Sequence, residues 1–169
     1  MAASDALTDR GIDCLRFDYG EWDEGYGECA DADNAVAWAR ERYDRVALFG
    51  FSFGGTVALV TAASWPALAG VCALAPTAQL NPDVDAVAAL DSLINDDDAE
   101  DGTVPVCVLY ATRDSTADWK PVVERAETLG VETVAFDADH FFIGRTRDVG
   151  EAVSAAMGPW LSESDSSHG

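Results

Sequence analysis

Arg45-Val46-Ala47-Leu48-Phe49-Gly50-Phe51-Ser52-Phe53-Gly54-Gly55-Thr56-Val57-Ala58-Leu59-Val60 decides how this chain reads. Arg45 to Phe49 is short and apolar and predicts a strand, whereas Gly54 to Ser64 predicts an apolar helix. Between them stands Gly50-Phe51-Ser52-Phe53-Gly54, a G-x-S-x-G pattern at a strand-to-helix turn. A serine on such a turn holds a strained backbone that exposes its hydroxyl, and the residues two before and two after it must be very small to clear the crossing chain. Ser52 is therefore a candidate nucleophile.

Outward from that turn, the chain alternates. Ala2 to Arg10 predicts a helix ended by Gly11, and Ile12 to Tyr19, with Cys14, Leu15 and Phe17, predicts a strand. A loop from Gly20 to Glu28 precedes a helix with Asp31 and Asp33 near its start and Arg40 and Arg42 near its end, as the helix dipole prefers. Val71 to Ala75 reads as a buried strand left at Pro76. Thr77 to Gly102 reads as a polar crossover carrying a small lid, with a helical island at Val84 to Leu93 and an acidic run at Asp96, Asp97 and Asp98. Strands at Val104 to Tyr110 and Val131 to Phe136 enclose a helix at Val122 to Leu129, and Val149 to Trp160 forms a closing helix. The expected fold is an α/β three-layer sandwich, a mostly parallel sheet of about five strands with helices on both faces, in one domain over residues 1–161 with a frayed tail at 162–169. In such sheets chemistry gathers at the carboxyl ends of the strands.

A serine hydroxyl needs an imidazole to take its proton and a carboxylate to fix the imidazole tautomer. Of the two histidines, His168 lies in the polar tail, which leaves His140, just after the last strand. Asp114 follows the Val104 to Tyr110 strand and completes the chain order Ser, Asp, His; Asp118 is the alternative acid, and either residue could instead cap the next helix. Asp137 and Asp139 flank the histidine and are expected to face solvent or tune it. The Phe53 N–H is placed to meet an oxyanion, and Phe51, Phe53 and Trp22 to wall an apolar pocket.

Composition narrows the partners. The chain has 169 residues, 31 Asp plus Glu against 10 Lys plus Arg, and a net charge of -21, which makes nucleic acid a poor ligand. No apolar run reaches the roughly 18 residues of a membrane span. The opening Met1-Ala-Ala-Ser-Asp lacks the regions of a signal peptide, so a cytoplasmic location is expected, with Cys14, Cys29, Cys72 and Cys107 as buried reduced thiols. No metal or cofactor is called for: Ala99 occupies a ligand position and Val108 the closing position of any calcium loop near Asp97, and neither a dinucleotide fingerprint nor a phosphate loop is present. The expected partner is a small ester-type molecule, and homo-oligomerisation is left open.

These residues resemble a known family, the small lidless α/β-superfamily hydrolases of the dienelactone-hydrolase-like or predicted serine hydrolase branch. Arg16-Phe17-Asp18-Tyr19 is similar to the strand and loop after its first helix, and Gly25-Tyr26-Gly27-Glu28 with Asp31 to its G-x-G-E-x-x-D segment. Asp139-His140-Phe141-Phe142 with Gly144 and Arg145 resembles its catalytic-histidine segment. The resemblance implies Ser52 as nucleophile, His140 as base and Asp114 as acid in hydrolysis of an ester, thioester or lactone through an acyl-enzyme. It also implies a strand and a His- and Gly-rich oxyanion loop ahead of Ala2, between Ile12 to Tyr19 and Arg45 to Phe49. With neither at hand, the expectation is a longer natural chain and reduced activity in this one. The alternative is a non-catalytic hydrolase-fold protein acting in ligand binding or assembly.

The acidic, lysine-poor composition resembles that of cytosolic proteins from extreme halophiles. At molar salt the Debye length falls to about 3 Å and the carboxylates cease to repel one another over distance. Circular dichroism during dialysis is therefore predicted to lose native signal at low salt; full structure retained in dilute buffer contradicts this.

Overall fold

Alternate residues of the two central strands serve different faces. Val71, Ala73, Val106 and Val108 join one apolar core, and Cys72, Leu74, Cys107 and Leu109 join the other. All eight are buried, the burial expected of a parallel sheet covered on both sides. A computed structural model describes residues 2–95 and 102–162. The acidic run at 96–98 and the tail from 163 onward lie outside the described residues.

The main sheet has four parallel strands in the order β1-β2-β5-β6: β1 at Ala47–Phe51, β2 at Gly70–Leu74, β5 at Val106–Ala111 and β6 at Glu132–Phe136. A separate antiparallel ribbon pairs β3, Gln79–Asn81, with β4, Val84–Asp85. Helices α2 (Tyr26–Arg40), α3 (Phe53–Ala63), α4 (Ala86–Ile94) and α5 (Lys120–Thr128) supply the first core; α1 (Ala2–Thr8) and α6 (Thr146–Leu161) supply the second. The α/β sandwich read from the sequence is thus the observed architecture.

Local chemistry sets the boundaries. Gly11 (φ 76°) ends the turn after α1. Gly25 (φ 100°) opens α2, and the buried Glu28 carboxylate accepts the N–H groups of Asp23 and Gly25, both at 2.9 Å. This cap starts α2 within the segment expected to be a loop. Asp85 caps α4 by accepting from Ala88 N–H at 2.9 Å. The Thr77 to Gly102 stretch, expected to carry a lid, supplies the ribbon and α4, and α4 packs on α3 and α5.

Other expectations fail, and the main sheet has four strands where about five were expected. Ile12 to Tyr19 forms no strand, and Leu15 (54% exposed) and Phe17 (38%) face outward, as does Cys14 in place of the burial expected for it. A strand exists by pairing, and β1, the nearest candidate, pairs with β2 alone. Cys29 is half-buried, and Cys72 and Cys107 are buried as expected.

Gly70 marks a close contact between β2 and α6: a Cβ there would lie 2.2 Å from Cε3 of Trp160. Gly70→Ala is predicted to destabilise by about 1–3 kcal/mol, seen as a lower urea midpoint at unchanged slope. An unaltered midpoint contradicts this packing.

Candidate active site

Ser52 sits between the end of β1 and the start of α3 with φ 58° and ψ −125°. A non-glycine residue with positive φ is costly, and this one is held by its surroundings. Its N–H donates to the Leu74 carbonyl at 2.8 Å, and its own carbonyl accepts from Gly55 N–H at 2.9 Å. The crossing is closest at Gly50, where a Cβ would lie 1.9 Å from the Gly54 carbonyl oxygen. A Cβ on Gly54 would meet only the Tyr19 hydroxyl, at an ordinary 3.6 Å. The steric demand read from the pattern therefore falls on Gly50 far more than on Gly54. Phe53 N–H lies in the first turn of α3, where a helix offers its N–H groups no internal acceptor.

His140 lies beyond the carboxyl end of β6, and Asp114 beyond that of β5. Nδ1 of His140 and Oδ2 of Asp114 are 2.6 Å apart, with side chains 6% and 0% exposed. The other Asp114 oxygen accepts from Thr116 N–H at 2.8 Å and Ala117 N–H at 3.0 Å. Burial pushes the carboxyl upward, but the hydrogen bonds from His140 and from the Ala117 and Thr116 N–H groups outweigh it and hold Asp114 below the usual carboxylate range. An ionised Asp114 makes Nδ1 the donor and leaves Nε2 free to accept a proton. Asp118, the alternative acid, is exposed, and its backbone bonds to Thr77 and Ala78. Neither aspartate caps α5, which begins after Trp119.

The two loops are sewn together by Arg113. Its Nε donates to Asp137 Oδ1 at 2.8 Å, and its N–H to the Ala138 carbonyl at 3.1 Å. Asp137 thus faces outward to Arg113, and Asp139 Oδ1 accepts Phe141 N–H at 3.1 Å. Phe142 takes φ 53° and turns the chain toward α6.

The elbow and the histidine meet through Phe51, which precedes Ser52 and whose ring lies 5.2 Å from that of His140. Phe53 makes edge contacts with Trp22 at 5.5 Å and tilts against Tyr19 at 5.6 Å, and both Trp22 and Phe53 are exposed. The three pocket residues expected from sequence therefore flank the Ser52 turn. Glu28 and Tyr19 entered the sequence reading only as members of the segments that carry the resemblance, with no role assigned, and Arg113 did not enter it. The spacing Gly25-x-x-Glu28, a capping box with glycine at its head, is the signal that marks Glu28; Arg113 carried none.

Because Asp114 is held below its unfolded value of about 3.9, its contribution to stability is complete above that pH and is lost as pH falls through the lowered native value. The stability gap between wild type and Asp114→Asn, from urea melts in molar salt, is predicted to hold from pH about 5 to about 4 and to shrink on acidification below about 3.9. A gap that persists unchanged into that acid range contradicts the assignment.

Among solved structures, an α/β serine hydrolase without a lid from Xanthomonas campestris is 26% identical, with 96% of this chain and 73% of that chain covered and a TM-score of 0.71. An esterase from Pyrococcus furiosus is 18% identical (95% and 75% covered, TM-score 0.77), and the esterase domain of a Rhodothermus marinus protein 19% identical (95% and 79%, TM-score 0.73). No curated protein matches the sequence significantly. No helix among the described residues is long and apolar enough to cross a membrane. The chain is a hydrolase of the α/β superfamily, in its serine hydrolase branch. Residues 18–124, a span that includes Ser52 and Asp114 and covers more than half of the chain, match the X-Pro dipeptidyl-peptidase (S15) family, and the chain belongs to that family.

Proposed function

We propose that the chain is a carboxylic-ester hydrolase that cleaves a small ester, thioester or lactone through an acyl-enzyme on Ser52. The observation that carries this reading is the 2.6 Å contact between Asp114 and His140 at the same sheet end as the Ser52 turn. Ser52 Oγ attacks the carbonyl carbon while its proton passes to Nε2 of His140, and the oxyanion develops against Phe53 N–H. Collapse of the tetrahedral species breaks the bond to the alcohol, thiol or lactone oxygen, which takes the proton from Nε2. Water then repeats the sequence and frees the acid. Asp114 remains ionised throughout and orients the imidazole.

The family to which the chain belongs supports a second reading, release of X-Pro dipeptides. Asp18, Glu21, Asp23 and Glu24, around Trp22, would suit the protonated amino terminus of such a substrate. Parallel assays of a p-nitrophenyl ester and an aminoacyl-prolyl anilide separate the two.

In molar salt a fluorophosphonate probe is expected to label the wild type and not Ser52→Ala, with hydrolysis reduced by a factor of about 10⁶ in the variant. A folded wild-type chain that takes no label contradicts the reading and favours the non-catalytic alternative, a protein of ligand binding or assembly.

A further inference from the structure

Glu28 is 1% exposed in a chain of net charge -21, and it pairs with no arginine or lysine among the described residues. A buried carboxylate without a cation is held by hydrogen-bond donors. Here both donors belong to one loop: Oε1 accepts the Asp23 N–H and Oε2 the Gly25 N–H, each at 2.9 Å. Capping a helix does not require burial of an acid, as the exposed bond from Ala88 N–H to Asp85 shows at α4. The burial of Glu28 therefore serves the loop as well as the helix.

Three further contacts grip the same loop. Gly20 N–H donates to Asp31 Oδ2 at 2.8 Å, Asn81 Nδ2 donates to the Glu24 carbonyl at 2.6 Å, and the Tyr26 hydroxyl donates to Asp83 Oδ2 at 2.8 Å. Asn81 ends β3 and Asp83 lies in the turn to β4, so the ribbon that follows the carboxyl end of β2 is the second anchor. Between the anchors the chain is left-handed at Glu24 (φ 53°) as well as at Gly25. A glutamate keeps such a conformation only where its surroundings fix it. A Cβ on Gly25 would already lie 3.2 Å from Leu80 Cδ1, so loop and ribbon are in close contact.

The loop carries Trp22 to the Ser52 turn. The Trp22 ring meets the Phe53 ring edge to face, with centroids 5.5 Å apart, and Phe53 follows Ser52 and supplies the N–H that meets the oxyanion. Phe51, which precedes Ser52, meets His140 instead. A leaving group lies toward the imidazole that protonates it, which leaves the side of Phe53 and Trp22 to the acyl group.

We infer that Glu28 is a positioning residue for acyl-group selection: holding Asp23 and Gly25 while Asn81 holds Glu24, it fixes Trp22 against Phe53 as the wall on which an apolar acyl chain longer than acetyl rests. The inference rests on the ester-hydrolase reading of Ser52.

The test compares kcat/KM for p-nitrophenyl butyrate and p-nitrophenyl acetate, using the whole chain in molar salt. The wild type is expected to favour butyrate, and Trp22→Ala to lower the butyrate-to-acetate ratio by about five- to tenfold, the contribution of two partly buried methylenes. Glu28→Gln preserves size but turns an amide N–H toward a loop N–H. Asn81→Asp keeps the oxygen that accepts the Asp83 and Val84 N–H groups and sets a second oxygen against the Glu24 carbonyl. Each is expected to lower the ratio by a similar factor, and Glu28→Gln added to Trp22→Ala to lower it no further. Loss of folded protein reduces both rates alike and leaves the ratio in place, and Asn81→Asp decides the matter should Glu28→Gln not fold. A wild type indifferent to acyl length, ratios unchanged in the folded variants, or additive losses in the double variant overturn the inference and leave ester hydrolysis standing. A folded wild type that hydrolyses neither ester overturns the ester reading, and this inference with it.

Discussion

The close crossing of β1 and α3 at Gly50 is the constraint on which the site depends. A side chain at that position would run into the Gly54 carbonyl, so the strand and helix could not approach and the turn between them would open. With the crossing closed, Ser52 is forced to positive φ, at a cost of about 1–3 kcal/mol. Two backbone hydrogen bonds and the buried helix α3 hold it there. The strain has a geometric product: the side chain stands clear of both elements, and the first N–H groups of α3 gather beside it.

A second fastening completes the arrangement. Asp114 and His140 come from loops that leave neighbouring parallel strands, so the sheet register already brings their bases together: Leu109 pairs with Val134 and Ala111 with Phe136. Thr112 N–H donates to the Phe136 carbonyl, and Arg113 fixes Asp137 and Ala138. In a chain with such an acidic surplus, a carboxylate that keeps its charge while buried needs dedicated donors. Asp114 has three, the imidazole and two backbone N–H groups. The exposed Asp118, bonded to its surroundings through the backbone, lacks that environment.

Much of this was legible in the amino-acid order. The α/β alternation was visible because β2 and β5 are continuous apolar runs and α3 is apolar on every side, which follows from burial between layers. The site was legible through the Gly50 to Gly54 spacing, the scarcity of histidine and the position of Asp114 after a strand. Three features escaped for physical reasons. Ile12 to Tyr19 has the side-chain pattern of a strand, but a strand also requires a partner, and pairing is not written in local sequence. The Arg113 fastening is a long-range contact between charged groups with no periodicity to mark them. The start of α2 was misplaced because Gly25 and Gly27 suggest a loop, whereas the buried Glu28 carboxylate converts the first of them into a helix cap.

The fold therefore sets the Ser52 turn and the Asp114–His140 pair at one end of the sheet. Two backbone hydrogen bonds brace the strained turn, and Asp114 and His140 are fastened to each other. The central claim, that Ser52 and His140 act on one reacting atom, is tested most directly by a crystal structure of the chain after reaction with a small organophosphate. The account predicts phosphorus bonded to Ser52 Oγ, Nε2 of His140 within about 3 Å of a bound oxygen, and a phosphoryl oxygen facing Phe53 N–H. A phosphorylated Ser52 with His140 turned away and still paired to Asp114, out of reach of every substituent, would contradict it.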